Sequence, residues 1–165
     1  MTSHRPFGLP VAAQRVAALP AAALLLAVAG CSPTDATASV PVPSPPAEEA
    51  AFCRALHDAL PQTLSGFDRS EAEPESDLTA AWGDGAIVLR CGVPRPEKMS
   101  DPQASGVDVN GVGWLLEVRD SGAPRFTSTY RKAYVEVTLD ERFTHDTGPL
   151  TGLAGPVART VPKSL

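Results

Sequence analysis

His145 and Asp146 stand side by side in Thr144-His145-Asp146-Thr147, a polar stretch that reads as a loop. An imidazole next to a carboxylate could orient a general base. Adjacency in sequence does not by itself bring a nucleophile and an oxyanion site to the same place. His57 sits beside Asp58 on what reads as the outer side of a helix and is expected at the surface. The chain holds no Gly-x-Ser-x-Gly elbow, no Walker loop, no His-Glu-x-x-His and no paired-cysteine zinc motif. Three cysteines and three histidines are too few for a multi-metal or iron–sulfur protein. No cofactor and no metal are expected, and a small hydrolase-like enzyme around His145 and Asp146 is the alternative reading. Trp82 and Trp114 could be binding aromatics, but in a chain that is 5% aromatic they are expected in the core. Arg90 alternates with Ala86 and Val88 and falls opposite Cys91. A half-buried guanidinium needs a carboxylate, which Glu117 or Glu136 on a neighbouring strand could supply; a ligand anion is the other partner to consider.

The cysteines need the elements around them. Residues 1–30 contain Arg5 and Arg15 and no acidic residue, and from Val16 to Ala29 the chain is Ala, Leu and Val broken only by Pro20. A positive flank, a short apolar run and small residues make a secretory signal, and the run is too short to span a bilayer, which takes ~20 residues. Val28-Ala29-Gly30-Cys31 resembles the lipobox of bacterial lipoproteins. That resemblance implies lipid on the Cys31 thiol and cleavage after Gly30. At least two acyl chains on one cysteine anchor stably, where one holds marginally. Absence of a twin-arginine pair favours the general secretory route. Residues 31–46 then carry Pro33, Pro41, Pro43, Pro45 and Pro46 among Ser, Thr, Ala and Val. Such a stretch favours extended polyproline II and reads as a spacer between lipid and domain, with nothing to bury. The globular, extracytoplasmic domain is expected over 47–165.

With Cys31 lipidated, Cys53 and Cys91 remain as an even pair in an oxidising compartment. Residues 47–60 read as a helix. Glu48 and Glu49 suit its first turn, Pro61 ends it, Phe52, Leu56, Ala59 and Leu60 form its apolar stripe, and Cys53 lies beside that stripe. Residues 86–91 (Ala-Ile-Val-Leu-Arg-Cys) are nearly all apolar and read as a central strand with Ile87, Leu89 and Cys91 on one face. Both sulfurs should therefore face one core and bridge. The acidic run over 69–77 reads as a solvated loop. Strands are expected over 114–118, 125–130 and 133–139. Their connections of six and two residues allow only antiparallel pairing, since parallel crossovers need a dozen or more. Leu150, Leu153, Ala154 and Val157 have helical spacing, but Gly152, Gly155 and Pro156 predict a short or broken helix. The fold class expected is α+β: a small antiparallel sheet of about four strands, an N-terminal helix disulfide-linked to its central strand, and a short C-terminal helix.

Charge narrows the partners. With 14 basic against 19 acidic residues the chain carries −5, and loss of residues 1–30 removes two basic residues and no acidic one, giving −7. Nucleic acid needs a basic surface to displace counterions and is not expected.

Three strings carry a family resemblance: Ala81-Trp82-Gly83-Asp84-Gly85-Ala86-Ile87-Val88-Leu89-Arg90-Cys91-Gly92-Val93-Pro94, Asn110-Gly111-Val112-Gly113-Trp114, and Arg131-Lys132-Ala133-Tyr134-Val135-Glu136-Val137. They resemble an actinobacterial lipoprotein family, domain of unknown function family 3515, over roughly residues 52–158. The chain departs from that pattern at Gly85, where Pro is common, and at Tyr130, where Gly is common before the Arg. The resemblance implies an exported, lipid-anchored, disulfide-bearing domain on the outer face of the cytoplasmic membrane and brings no activity with it. A non-enzymatic binding module for an envelope protein or glycan is the first reading. Within those strings, Trp82, Asp84, Arg90, Asn110, Trp114 and Arg131 are the residues that could contact a ligand or partner.

Overall fold

The structure, a computed structural model, describes residues 37–164. The expected signal peptide, Cys31 and the first residues of the expected spacer lie outside them. In chain order the elements are β1 (Ala38–Ser39), α1 (Ala47–Ala59), β2 (Thr63–Leu64), β3 (Phe67–Ser70), β4 (Ala72–Glu73), β5 (Thr79–Trp82), β6 (Ile87–Val93), β7 (Gly106–Val109), β8 (Val112–Val118), β9 (Pro124–Ser128), β10 (Tyr134–Leu139) and α2 (Gly148–Thr160). Eight strands form one antiparallel sheet in the order β2-β3-β5-β6-β10-β9-β8-β7, twice the four expected. The expected four are its contiguous block β6-β10-β9-β8. β8, β9 and β10 form the antiparallel meander, and β10 pairs with β6, Val135 opposite Cys91 and Val137 opposite Leu89.

The strands beyond that block are short and only partly apolar, which is why periodicity does not reveal them. β4 and the second half of β3 lie in the acidic run over 69–77 expected as a solvated loop. Arg69 is paired opposite Trp82, its guanidinium 5.3 Å from the centroid of the indole ring, so a charged residue serves as a half-buried strand cover. β7 is joined to β8 by Asn110 and Gly111, with φ of 51° and 79°. A two-residue turn with both φ positive matches the twist of the strands it connects, and Asn-Gly is the pair that adopts it most readily.

The stretch expected as a spacer lies on the fold from Ala38 onward. β1 pairs in parallel with β4, Val40 is fully buried, and the Pro41 carbonyl accepts a hydrogen bond from Arg90 Nε at 2.9 Å. Proline lacks the N–H of a ladder but keeps its carbonyl, so a proline-rich strap can still be pinned from one side. Pro45 rests on Gly92, the extra residue of a bulge between Cys91 and Val93. A Cβ there would stand 2.5 Å from Pro45 Cγ, and the φ of 85° asks for glycine in any case.

α1 ends at Ala59, one residue short of the expectation, and its buried residues are Cys53 and Leu56, while Phe52 is only partly covered. Cys53 is bridged to Cys91 with a Cα–Cα distance of 5.4 Å, both residues buried, which ties α1 to β6 in the middle of the sheet. α2 is a continuous helix of 13 residues, contrary to the short or broken helix expected. Pro149 sits in its first turn, where a missing N–H costs nothing. Pro156 is buried with Leu150, Leu153, Ala154 and Val157, and this apolar face outweighs the local penalty. Gly152 lets the helix approach β2 closely, since a Cβ would lie 2.6 Å from Leu64 Cδ1. Both helices pack on one face of the sheet, over a core that includes Trp82, Ile87, Leu89, Trp114, Phe126, Val135, Val137 and Leu139. Among the described residues no helix is long and apolar enough to cross a membrane.

Candidate functional site

The sheet face away from the helices carries the polar chemistry. Strand alternation places Arg90, Glu136, Arg125 and Glu117 on that face of four adjacent strands, and they form a ladder of alternating charge. Arg90 Nη1 donates to Glu136 Oε1 at 3.0 Å, Arg125 Nη2 lies 3.2 Å from Glu117 Oε1, and Arg125 Nε lies 4.0 Å from Glu136 Oε2. Arg90 thus finds the carboxylate its position requires, from Glu136, and Glu117 serves Arg125 instead. Ser39, Val40 and Pro41 wall one side of a cavity of about 340 Å³ over this ladder, and Arg119, which donates to the Leu139 carbonyl at 3.0 Å, lines it as well. The acids balance Arg90 and Arg125 in place, so the ladder serves as a cross-strand stitch.

Farther toward the β7 edge lies a larger cleft of about 410 Å³. One wall is the segment after β6, with Arg95 between Pro94 and Pro96 and Met99 in a single 3₁₀ turn, Glu97–Ser100. The other side is β7 with Asp108, and Tyr130 and Tyr134 lie between the end of β9 and the start of β10. The expected strand over 125–130 ends at Ser128, and Tyr130 is turned out of the sheet, 78% exposed, with φ of 53°. A left-handed backbone costs an ordinary L-residue on the order of 1–2 kcal/mol. Ser65, Asp84 and Asn110 take the same backbone in turns, but Tyr130 is the bulky one and stands at the lip of a cleft, and strain of this kind clusters at binding sites. The wall is anchored just beyond the 3₁₀ turn by Asp101. The Lys98 ammonium and the Gln103 amide both bond its carboxylate and hold its pKa below the ordinary carboxylate value.

The residues singled out from the sequence mostly hold the fold. Trp82 is buried and donates Nε1–H to the Pro61 carbonyl at 3.0 Å. Trp114 is buried in the core, and its Nε1 finds no partner among the described residues. Asp84 is exposed at φ of 55° in the turn between β5 and β6, and Asn110 is exposed in the β7–β8 turn. Arg131 is 5% exposed, too enclosed for the contact role considered for it. Its Nη1 donates to the Val161 carbonyl at 2.9 Å and its Nη2 to the Gly111 carbonyl at 3.4 Å. Val161 caps the C-terminus of α2, whose negative end faces the guanidinium. Burial lowers the pKa of Arg131, although a guanidinium stays charged at any ordinary pH.

His57 Nδ1 lies 3.4 Å from Asp77 Oδ1 rather than being served by its neighbour Asp58. His145 and Asp146 are both exposed, and Asp146 Oδ1 accepts the Gly148 amide at 2.7 Å in an Asx turn that leads into α2. No three or more His, Cys, Asp or Glu residues among those described are grouped to hold a metal ion.

Arg95, Asp108 and Tyr134 were not legible as site residues, because none lies in a chemical motif. Tyr130 carried a signal: a bulky residue at a turn position that glycine would fill more easily.

Residues 9–165 match the family described as protein of unknown function, DUF3515, and the chain belongs to that family. No curated protein and no solved structure matches the chain.

Proposed function

We propose that this member of the DUF3515 family is an exported, lipid-anchored envelope protein, held through Cys31 on the outer face of the cytoplasmic membrane. Its folded domain binds an envelope protein or glycan and performs no catalysis. The observation that carries the binding reading is the cleft, with Tyr130 exposed in a strained conformation at its lip. Anchoring is supported by the cysteine pairing: Cys53 and Cys91 are joined and buried, which leaves Cys31 as the odd thiol at the end of an apolar leader. A buried bridge also suits an oxidising compartment. Because the strap is seated from Ala38, only residues 32–37 separate the lipidated cysteine from the fold. At ~3.1 Å per residue they reach at most about 20 Å, so the domain is held close to the membrane.

Two measurements on membranes of the native host test this. Cys31→Ser should release the protein or leave its leader uncleaved, and fractionation like wild type would contradict the anchor. A photo-cross-linking phenylalanine analogue at position 130 should give discrete adducts, while the same group at Asp58, on the outer side of α1, gives none. Equal labelling at both positions, or none at 130, would contradict the binding site.

A further inference from the structure

We infer that the cleft takes a zwitterion of amino-acid or short-peptide size, its carboxylate at Arg95 and its ammonium at Asp108. This rests on the cleft being a binding surface, but makes its occupant a free small molecule in place of an envelope protein or glycan. Arg95 and Asp108 are the charged side chains lining the cleft, and both are exposed. They come from different walls, are not paired with each other, and have no ion-pair partner among the described residues. Each is oriented by a single hydrogen bond: Arg95 Nη1 to Ser100 Oγ at 2.8 Å, and the Gly111 amide to Asp108 Oδ1 at 3.0 Å. The remaining guanidinium N–H groups and Asp108 Oδ2 stay open to a ligand.

Of the charges around the cleft, Glu97 and Lys163 have no ion pair among the described residues but do not line it, and the others nearby are spent. Lys98 pairs with Asp101, and on the same sheet face Arg90 pairs with Glu136 and Arg125 with Glu117. Among the residues that line the cleft, one cation and one anion are left unpaired. A ligand of single charge would meet one of them and be repelled by the other, and a neutral ligand would use neither. A ligand with both charges at its ends satisfies both walls. Tyr130 and Tyr134 suit the same ligand, since phenol rings attract an ammonium and cover an aliphatic middle. The volume of about 410 Å³ lies in the lower part of the range for small-ligand sites, ~300–1,000 Å³.

The test uses trialanine in four forms, with free termini, N-acetylated, C-amidated and doubly blocked, titrated into the secreted Cys31→Ser protein. Affinity is measured by calorimetry, and the Tyr130 and Tyr134 amide signals are followed by NMR. Free trialanine should bind tightest and shift both signals, and each block should weaken binding about tenfold. Asp108→Asn should abolish the effect of acetylation alone, and Arg95→Gln the effect of amidation alone, a split that general destabilisation would not produce. Equal binding of all four forms with shifts at the tyrosines overturns the zwitterion and leaves the cleft as a binding site. If no form shifts either tyrosine, the zwitterion is likewise overturned, and cross-linking from position 130 decides the binding reading on its own.

Discussion

Glu136→Gln should destabilise the domain out of proportion to the single heavy atom it changes. Glu136 is 9% exposed and stands between two guanidinium groups, accepting from Arg90 at 3.0 Å with Arg125 at 4.0 Å on its other oxygen. An amide keeps the shape but removes the charge and turns a donor toward a cation. Breaking a fully buried pair costs about 3–5 kcal/mol, and an exposed pair contributes about 0–1. Arg90 and Arg125 keep 27% and 37% of their side-chain surface, so water recovers part of the loss and a cost of about 2 kcal/mol is expected. With a urea slope of about 1.5 kcal/mol per molar, the unfolding midpoint falls by about 1.3 M. The double change Arg90→Met with Glu136→Leu removes both charges, leaves Arg125 with Glu117, and should return to within about 1 kcal/mol of wild type, the remaining loss being the Arg90–Pro41 hydrogen bond. Equilibrium urea unfolding followed by tryptophan fluorescence reads both. A Glu136→Gln midpoint unchanged from wild type, or a double variant less stable than Glu136→Gln, would refute the ladder as a cross-strand stitch.

Replacing Cys53 and Cys91 together by alanine frees a loop with a sequence separation of 38 and should cost about 4 kcal/mol in unfolding experiments. An unchanged midpoint would mean that the bridge does not constrain the unfolded chain. Gly152→Ala should destabilise despite the better helix propensity of alanine, because the new Cβ meets Leu64 Cδ1 at 2.6 Å. In a Leu64→Ala background the same change should become neutral or stabilising, and the same sign in both backgrounds would contradict the contact. Asp101 should titrate below the ordinary ~3.9, so its contribution to stability is present above that pH and is lost as pH falls through the lower folded value. NMR titration of its carboxyl should show Lys98→Met moving the midpoint up, and no movement would remove Lys98 as the leading cause.

Long apolar strands and helical phase were legible in the residues. β6 announces itself as a nearly all-apolar run broken by Arg90, and the phases of Cys53 and Cys91 already place both sulfurs toward one core. The connections around Arg119–Ala123 and Arg131–Ala133 are too short for anything but antiparallel pairing. What escaped is what depends on partners far along the chain. β3 looks like part of a loop until Arg69 is set against Trp82 on β5. Pro41 and Pro45 look like spacer until Arg90 and Gly92 receive them. Asn110-Gly111 was a readable hairpin turn, and its partner strand β7 could have been sought upstream. α2 survives Gly152 and Pro156 because burial outweighs propensity, and only a folded neighbour supplies that burial. The cleft was the least legible feature, since Arg95, Asp108, Tyr130 and Tyr134 lie up to 39 positions apart and meet only through the sheet.

The most direct test of a membrane-side binding domain is hydrogen exchange of the full-length protein in native membranes, compared with the purified Cys31→Ser form. An occupied cleft predicts added protection over residues 95–109 and 130–134, with α1 and α2 exchanging alike in both samples. Identical exchange over those two segments, or protection confined to the helical face, would contradict it.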